Sequence, residues 1–202
     1  MKTLTKFSTV AAILIASFAF FALSYKVGDK VEDFKLKNVN GKMVSMADYK
    51  NAKGFIIVFT CNHCPYAKAW EQRIIELDKK YNEKGFPVIA INPNDAQASP
   101  GDSFEKMAEI AKEKKYPFPY LHDEKQEVVK QFGALKTPHV YIVKKENSAL
   151  KVAYIGAIDD NFEDVSQVKE KYAEKALDEL LKNEPVSTKE TKAIGCSIKY
   201  KK

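Results

Sequence analysis

The feature that most constrains the fold is a pair of apolar runs separated by a helical pattern. Residues 54–60 (GFIIVFT) form a continuous apolar segment, which is typical of a strand covered on both faces. Residues 87–91 (PVIAI) form a second one. Between them, apolar side chains recur every three or four residues and share one helical stripe, namely Ala67, Trp70, Ile74, Leu77 and Tyr81. This order predicts a strand–helix–strand unit with two parallel strands.

Further strand patterns flank this unit. Short alternating segments between Asp33 and Met46 surround the turn dipeptide Asn40-Gly41, as in a hairpin. Residues 139–143 alternate in the same way and can pair antiparallel with residues 151–156. The sheet is therefore predicted to be mixed.

Helix signals complete the pattern. Asp102 followed by Glu105 has the form of an N-cap and its reciprocal partner. Asp123 precedes a short helix that is predicted to end near Gly133, and a helical pattern runs from residue 165 to residue 181. These elements predict an α/β domain with a central mixed sheet flanked by helices.

The first 24 residues have the features of a cleaved secretory signal. Lys2 and Lys6 give a cationic start, residues 10–23 are apolar or small, and Ala22 and Ser24 suit a signal peptidase. The alternative, an uncleaved membrane anchor, needs about 20 apolar residues to cross a bilayer, and the apolar stretch here is shorter. We therefore expect a periplasmic or secreted protein with no membrane attachment after cleavage.

The predicted boundaries follow from these patterns. Residues 1–24 are the signal peptide, residues 25–182 the folded domain, and residues 183–202 a polar C-terminal segment that contains Cys196. The chain has 33 basic and 27 acidic residues, and Arg73 is its only arginine. A nucleic-acid site would be expected to use arginines along one basic stripe, so nucleic acid is not an expected partner. Three cysteines are too few for a disulfide-rich scaffold.

The motif Cys61-Asn62-His63-Cys64 stands where the first buried strand gives way to the helix. Two thiols at this spacing can close a small disulfide ring, and amides at a helix N-terminus stabilise a thiolate. We expect Cys61 to face those amides, to have a lowered pKa and to be the attacking sulfur. Cys64, one turn further along, is expected to resolve the mixed disulfide.

His63 has two interpretations. Its imidazolium would favour the neighbouring thiolate and make the disulfide more oxidising, or the ring simply points to solvent. The cysteine pair has two alternatives as well. A structural zinc site would need two more ligands from Cys196, His122 and His139, which are scattered along the chain. A purely structural disulfide is the other alternative. We expect neither a metal nor a cofactor.

Thr137-Pro138 is predicted to form the second half of the site. A proline at the start of a strand cannot donate to the sheet, and a cis bond there would turn the chain sharply. Combined with the cysteine pair, it indicates a loop that packs against the two sulfurs, holds an extended substrate and keeps metals out.

Taken together, these motifs resemble the thioredoxin superfamily, in particular the peroxiredoxin-like branch of the alkyl hydroperoxide reductase and thiol-specific antioxidant (redoxin) family. The resemblance implies a thioredoxin-like fold, a redox dithiol at Cys61 and Cys64, and a cis proline at Pro138. The matching segments, in chain order, are residues 33–34, 40–42, 61–66, 91–95, 118–121, 137–138, 156–160 and 195–199.

The sequence also departs from this pattern. Cys64-Pro65 matches the peroxide-attacking cysteine of peroxiredoxins, but Cys61 stands where that family has threonine. Arg73 lies on the helix just after the dithiol, so the arginine that peroxiredoxins place on a later strand is missing. Lys136 occupies a position, just before Thr-Pro, where members of this branch often carry a third cysteine.

We therefore predict an exported thiol-disulfide oxidoreductase that exchanges disulfides with thiol or disulfide substrate proteins and with a redox partner. Cys61, Cys64, His63, Thr137 and Pro138 are the predicted site residues. Two alternatives remain open: a thiol peroxidase that uses Cys64, and a copper-binding module that uses both cysteines and a histidine.

Cys196 has no assigned role at this point. It could resolve a mixed disulfide, meet a partner protein, bridge two copies of the chain, or be an inert packed thiol.

Overall fold

The computed structural model describes residues 24–202, so the predicted signal peptide lies outside the described residues except for Ser24. Four α-helices are present in the described part, namely α1 (Pro65–Tyr81), α2 (Phe104–Glu113), α3 (Glu127–Phe132) and α4 (Tyr172–Leu181). The strands are β1 (Lys30–Val31), β2 (Lys35–Asn38), β3 (Met43–Ser45), β4 (Gly54–Phe59), β5 (Val88–Asn92), β6 (Tyr120–His122), β7 (Lys136–Thr137), β8 (His139–Glu146), β9 (Ala149–Gly156) and β10 (Cys196–Ser197).

Eight of the strands form one mixed sheet in the order β1-β9-β8-β4-β5-β6-β2-β3. β4 lies at its centre, parallel to β5 and antiparallel to β8. Every residue of β4 is buried, which explains its continuous apolar sequence. The predicted strand–helix–strand unit, the β2–β3 hairpin and the antiparallel β8–β9 pair are confirmed.

Helices cover both faces of the sheet. α1, α2 and α4 contribute Trp70, Met107 and Leu177 to the core on one face, against Ile56 of β4. α3 covers the other face, where Phe132 packs edge-on against Phe59 of β4 with 5.3 Å between ring centroids. Because neighbouring residues of β4 point to opposite faces, one strand supplies both cores.

Two helix boundaries differ from the prediction. The N-cap of α2 is Ser103, whose hydroxyl accepts the amide of Lys106, and not Asp102. Asp102 is fully buried and turns toward the cysteine loop instead. The pattern from residue 165 to residue 181 gives a helix only from Tyr172, preceded by a single 3₁₀ turn.

The C-terminal segment, residues 183–202, packs on the domain. β10 pairs with β7 in a separate two-stranded sheet, where Cys196 lies opposite Thr137. Further on, Ile198 is buried, and the carbonyl of Lys199 accepts the amide of Asp95 at 2.9 Å. None of the helices within residues 24–202 combines the length and apolar character that spanning a bilayer requires.

Candidate active site

The cysteine pair lies in the short connection between β4 and α1. The helix begins at Pro65, so Cys64 is its N-cap, with an extended backbone conformation. Pro65 suits the first helical position, because the amide missing from proline would have no partner there. Both cysteines carry free thiols, and their exposed fractions are 5% for Cys61 and 0% for Cys64. Both residues are therefore buried, and Cys61 is the slightly more accessible of the two.

Thr137 contacts both sulfurs. Its Oγ1 lies 3.1 Å from Cys61 Sγ, and its carbonyl oxygen accepts a hydrogen bond from Cys64 Sγ at 3.1 Å. The Thr137–Pro138 peptide bond is cis. One residue thus offers a hydroxyl to the first sulfur and an acceptor to the second.

The two thiols share a proton unequally. Their mutual hydrogen bond is the largest cause, and together with burial and the nearby Asp102 charge it raises the pKa of Cys61 well above its ordinary value. The same hydrogen bond lowers the pKa of Cys64 to about 4, against the opposing effect of burial. The prediction that Cys61 has the lowered pKa is therefore wrong for the resting pair. The main physical reason is the hydrogen bond between the two thiols, and the Ala67 amide near the start of α1 adds to the lowering on the Cys64 side.

A buried carboxylate forms the other side of the cysteine loop. Asp102 Oδ1 accepts the backbone amide of Asn62 at 2.7 Å, while Oδ2 accepts Asn94 Nδ2 at 2.8 Å and Ser99 Oγ at 2.7 Å. Burial alone would raise the pKa of Asp102, but these hydrogen bonds outweigh it and the pKa is lowered. Asp102 is therefore an ionised anchor for the loop between the cysteines.

His63 contacts the Asp102 carboxylate. Its Nδ1 lies 2.5 Å from Asp102 Oδ2 and 3.0 Å from Ser99 Oγ, while 40% of the side chain is exposed. The interpretation that His63 merely points to solvent is incomplete, because the ring is tied to a buried carboxylate. Its predicted effect on the thiolate stays a prediction.

Asn62 is held from both ends. Its side-chain amide donates to the carbonyl of Gly101 at 2.8 Å, and its Oδ1 accepts the hydroxyl of Tyr120 at 2.9 Å. Sequence reasoning did not assign these partners a role. The available signal was the polar run that begins at Asn92, the last residue of the buried strand β5, and continues through Asn94.

One group in the described part of the chain has metal-ligand chemistry. Cys61, His63 and Asp102 each place one possible ligand atom within 4.8 Å of the others. The Asp102 oxygens and His63 Nδ1 already bond to each other and to Ser99, so a cation would have to replace those contacts. The scattered zinc ligands considered from the sequence, His122 and His139, are not part of this group.

Arg73 interacts with Asp159 and not with the sulfurs. Its Nη1 donates to both oxygens of Asp159 at 2.7 Å, and Trp70 Nε1 donates to the same carboxylate at 2.8 Å. The only arginine thus ties α1 to the loop that follows β9.

The family model of the AhpC/TSA family matches residues 27–155. Thiol-disulfide oxidoreductase ResA of Oceanobacillus iheyensis is 26% identical over 149 residues, which are 68% of this chain and 73% of that protein.

Two solved structures are informative. An uncharacterized conserved protein from Geobacillus kaustophilus superposes with a TM-score of 0.80 at 41% identity, covering 88% of this chain and 93% of that one. The thioredoxin domain of a thiol-disulfide oxidoreductase from Bacteroides vulgatus superposes with a TM-score of 0.52 at 17% identity, covering 66% and 91%. The second match shows the fold alone, and the predicted thioredoxin-like fold is confirmed.

Proposed function

The chain belongs to the AhpC/TSA family, as its resemblance predicted, and from this membership and the site geometry we propose that it is a thiol-disulfide oxidoreductase acting through Cys61 and Cys64. The observation that carries the assignment is the contact of both sulfurs with Thr137, each at 3.1 Å. Two neighbouring thiols that share one proton, with one slightly accessible and one fully enclosed, are arranged for thiol–disulfide exchange.

The first step uses the state in which the shared proton has moved from Cys61 to Cys64, the reverse of the resting order. With the proton there, Cys64 donates to the Thr137 carbonyl, and the Thr137 hydroxyl can donate to the Cys61 thiolate. Cys61, the more exposed of the two, then attacks one sulfur of a substrate disulfide. A Cys61–substrate disulfide forms, the substrate disulfide breaks, and the second substrate sulfur leaves as a thiolate that takes up a proton.

In the second step, Cys64 resolves this intermediate. Cys61 no longer donates a hydrogen bond to Cys64 in the mixed disulfide, but the Ala67 amide and Cys196 still lower the pKa of Cys64 and favour its thiolate. Cys64 attacks Cys61 Sγ, the Cys61–Cys64 disulfide forms, and the remaining substrate sulfur leaves as a thiolate. The substrate gains two electrons and the enzyme loses two, so the reverse sequence oxidises a substrate dithiol.

The surrounding residues position the reacting sulfurs. Asp102 fixes the loop through the Asn62 amide, and His63 rests against the same carboxylate. The backbone of Thr137 and Pro138 lies beside both sulfurs, where we propose that it meets an extended substrate segment. The proposed substrates are thiol- or disulfide-bearing proteins, with a separate redox partner that restores the starting state.

Export is part of this proposal. The cationic start and apolar run of residues 1–24 support a signal peptide, and an oxidising compartment suits a protein that exchanges disulfides. Fractionation of cells that produce the full chain tests this, with a shortened mature protein in the extracytoplasmic fraction as the expected result. Full-length protein retained inside the cell would contradict export.

The exchange chemistry is tested by trapping. In Cys64→Ser, the Cys61–substrate disulfide cannot be resolved, so mixed disulfides with a disulfide-bearing substrate protein should accumulate on Cys61. Cys61→Ser is the matched control and should trap nothing at position 61. Peptide mapping after acid quenching identifies the linked cysteine. Absence of any mixed disulfide in Cys64→Ser would overturn the proposed function.

A further inference from the structure

The third cysteine lies within the dithiol cluster. Cys61, Cys64 and Ala67 form a small buried cluster, and Cys196 packs against it from the C-terminal segment. The pairing of β10 with β7 places Cys196 directly opposite Thr137, the residue that contacts both sulfurs. Three thiols thus surround one peptide unit, although Cys196 is separated from the pair by more than a hundred residues of sequence.

Within this cluster, Cys196 and Cys64 affect each other's protonation. Hydrogen bonds from the side chain and backbone of Cys196 contribute to the lowered pKa of Cys64. Conversely, burial and the neighbouring Cys64 raise the pKa of Cys196 to about 11, while Lys199 and Lys136 oppose that shift. Once Cys64 is part of a disulfide it carries no charge, so its charge no longer raises the pKa of Cys196.

Gly195 makes this approach possible. A Cβ at this position would lie 2.3 Å from the Thr137 carbonyl oxygen and 3.1 Å from Pro138 N, far inside contact distance for backbone atoms. Only glycine allows the C-terminal segment to come this close to the peptide that contacts the sulfurs.

The segment is held on both sides of Cys196. Before it, Thr191 Oγ1 accepts the Ala157 amide at 2.9 Å. After it, the Lys199 amide donates to Asn94 Oδ1 at 2.9 Å, and Gln126 Nε2 donates to the Lys199 carbonyl at 2.9 Å. Asn94 also donates to Asp102, so the same network anchors the cysteine loop and the third thiol.

We propose that Cys196 is a third redox-active thiol, which exchanges with the Cys61–Cys64 disulfide to form a Cys64–Cys196 disulfide. This inference rests on the proposed thiol–disulfide function. The Cys196 thiolate attacks Cys64 Sγ, the Cys64–Cys196 bond forms, the Cys61–Cys64 bond breaks, and the electron pair leaves on Cys61 as a thiolate. No net oxidation occurs, so the step needs no external oxidant.

The consequence is a second point of exchange. The transfer frees Cys61 for another substrate and moves the disulfide to Cys196, which is partly exposed, whereas Cys64 is fully buried. A thiol of the redox partner can then attack Cys196 while the substrate binds at Cys61. Lys136 lies opposite Ser197, next to the pair formed by Thr137 and Cys196.

The test uses Cys61→Ser, which leaves Cys64 and Cys196 as its cysteines. After equilibration with oxidised glutathione, acid quenching and alkylation, peptide mapping should find an intramolecular Cys64–Cys196 disulfide in monomeric protein, with both thiols lost together. In Cys61→Ser/Gly195→Ala, the yield of this disulfide should fall several-fold, because the added Cβ pushes β10 away from Thr137.

Wild-type protein under the same conditions separates the two proposals. If wild type forms a Cys61–Cys64 disulfide but Cys61→Ser yields only glutathionylated or intermolecularly linked cysteines, the role of Cys196 is overturned and the proposed function stands. If wild type forms no disulfide between Cys61 and either other cysteine, the proposed function itself fails. Circular dichroism and a cooperative unfolding transition verify that each variant is folded. If Cys61→Ser does not fold, trapping of a Cys64–Cys196 species during wild-type turnover decides in its place, and its absence overturns the role.

Discussion

The two sides of the cysteine loop consist of different chemical groups. On the polar side, the buried Asp102 carboxylate collects hydrogen bonds from Asn62, Asn94, Ser99 and His63. On the thiol side, Thr137 contacts both sulfurs and Cys196 packs against the cluster that contains them. The polar side therefore determines where the loop lies, and the thiol side determines where the proton and the disulfide go. Substitutions on the polar side should mainly change stability, and those on the thiol side mainly reactivity.

The largest effect is expected from Asp102→Ala. Removing a buried carboxylate leaves the Asn62 amide, Asn94 Nδ2 and Ser99 Oγ without their acceptor. The free energy of unfolding should fall by about 3–5 kcal/mol. Urea denaturation measures it, with exposed Asp29→Ala as the control, for which we expect about 0.5 kcal/mol or less. If Asp102→Ala lowers the free energy of unfolding no more than the control does, the polar side does not determine stability as proposed.

The next effect concerns the buried His139. His139, directly after Pro138, is buried and burial lowers its pKa to about 4. Because the unfolded chain binds this proton at about pH 6.5 and the folded protein does not, stability should fall as the pH drops from 6.5 toward 4, by about 3 kcal/mol. Asp102, with its lowered pKa, stays ionised throughout this window.

Urea midpoints at pH 7 and pH 4.5 measure this dependence. His139→Leu should lose much of it, whereas His63→Gln should retain it. An unchanged pH dependence in His139→Leu would show that another group causes the acid destabilisation.

A smaller but chemically more selective effect is expected for Thr137→Val. This variant keeps the backbone carbonyl that contacts Cys64 and removes the hydroxyl that lies 3.1 Å from Cys61 Sγ. The hydroxyl is among the groups that lower the pKa of Cys61, so its loss should raise that pKa. Alkylation of Cys61 by iodoacetamide at neutral pH should slow about tenfold, which corresponds to about one pKa unit.

Thr137→Ser restores a hydroxyl at the same position and should recover most of the rate. Equal slowing in both variants would mean that packing, and not the hydrogen bond, controls Cys61.

The smallest effect is expected for His63→Gln. The ring is 40% exposed, and Asp102 keeps its other donors, so stability should change by less than about 1 kcal/mol. A shift in the reduction potential of the Cys61/Cys64 couple would support the predicted tuning role. An unchanged potential would assign His63 to positioning alone.

The sequence predicted the frame of the site well. Apolar runs and helical spacing located β4, α1 and β5, because periodicity follows directly from which faces are buried. The dithiol and Thr137-Pro138 could be predicted to meet, since their motifs match one fold. The pKa order of the cysteines could not, because it depends mainly on the hydrogen bond between the two thiols, which the sequence pattern does not orient.

Two parts of the site were beyond the sequence for physical reasons. Asp102 and Ser103 are both good capping residues, and only the tertiary structure shows that Ser103 caps α2 while Asp102 turns inward. The placement of Cys196 depends on the long-range pairing of β10 with β7, which two residues per strand do not encode as a pattern.

The most direct test of the account is to equilibrate wild-type protein with glutathione buffers across a range of potentials, quench with acid and map its disulfides. We predict one reversible two-electron transition in which Cys61 and Cys64 lose their thiols together. Cysteines that stay reduced across the range, or a Cys61 that is never found in an intramolecular disulfide, would contradict it.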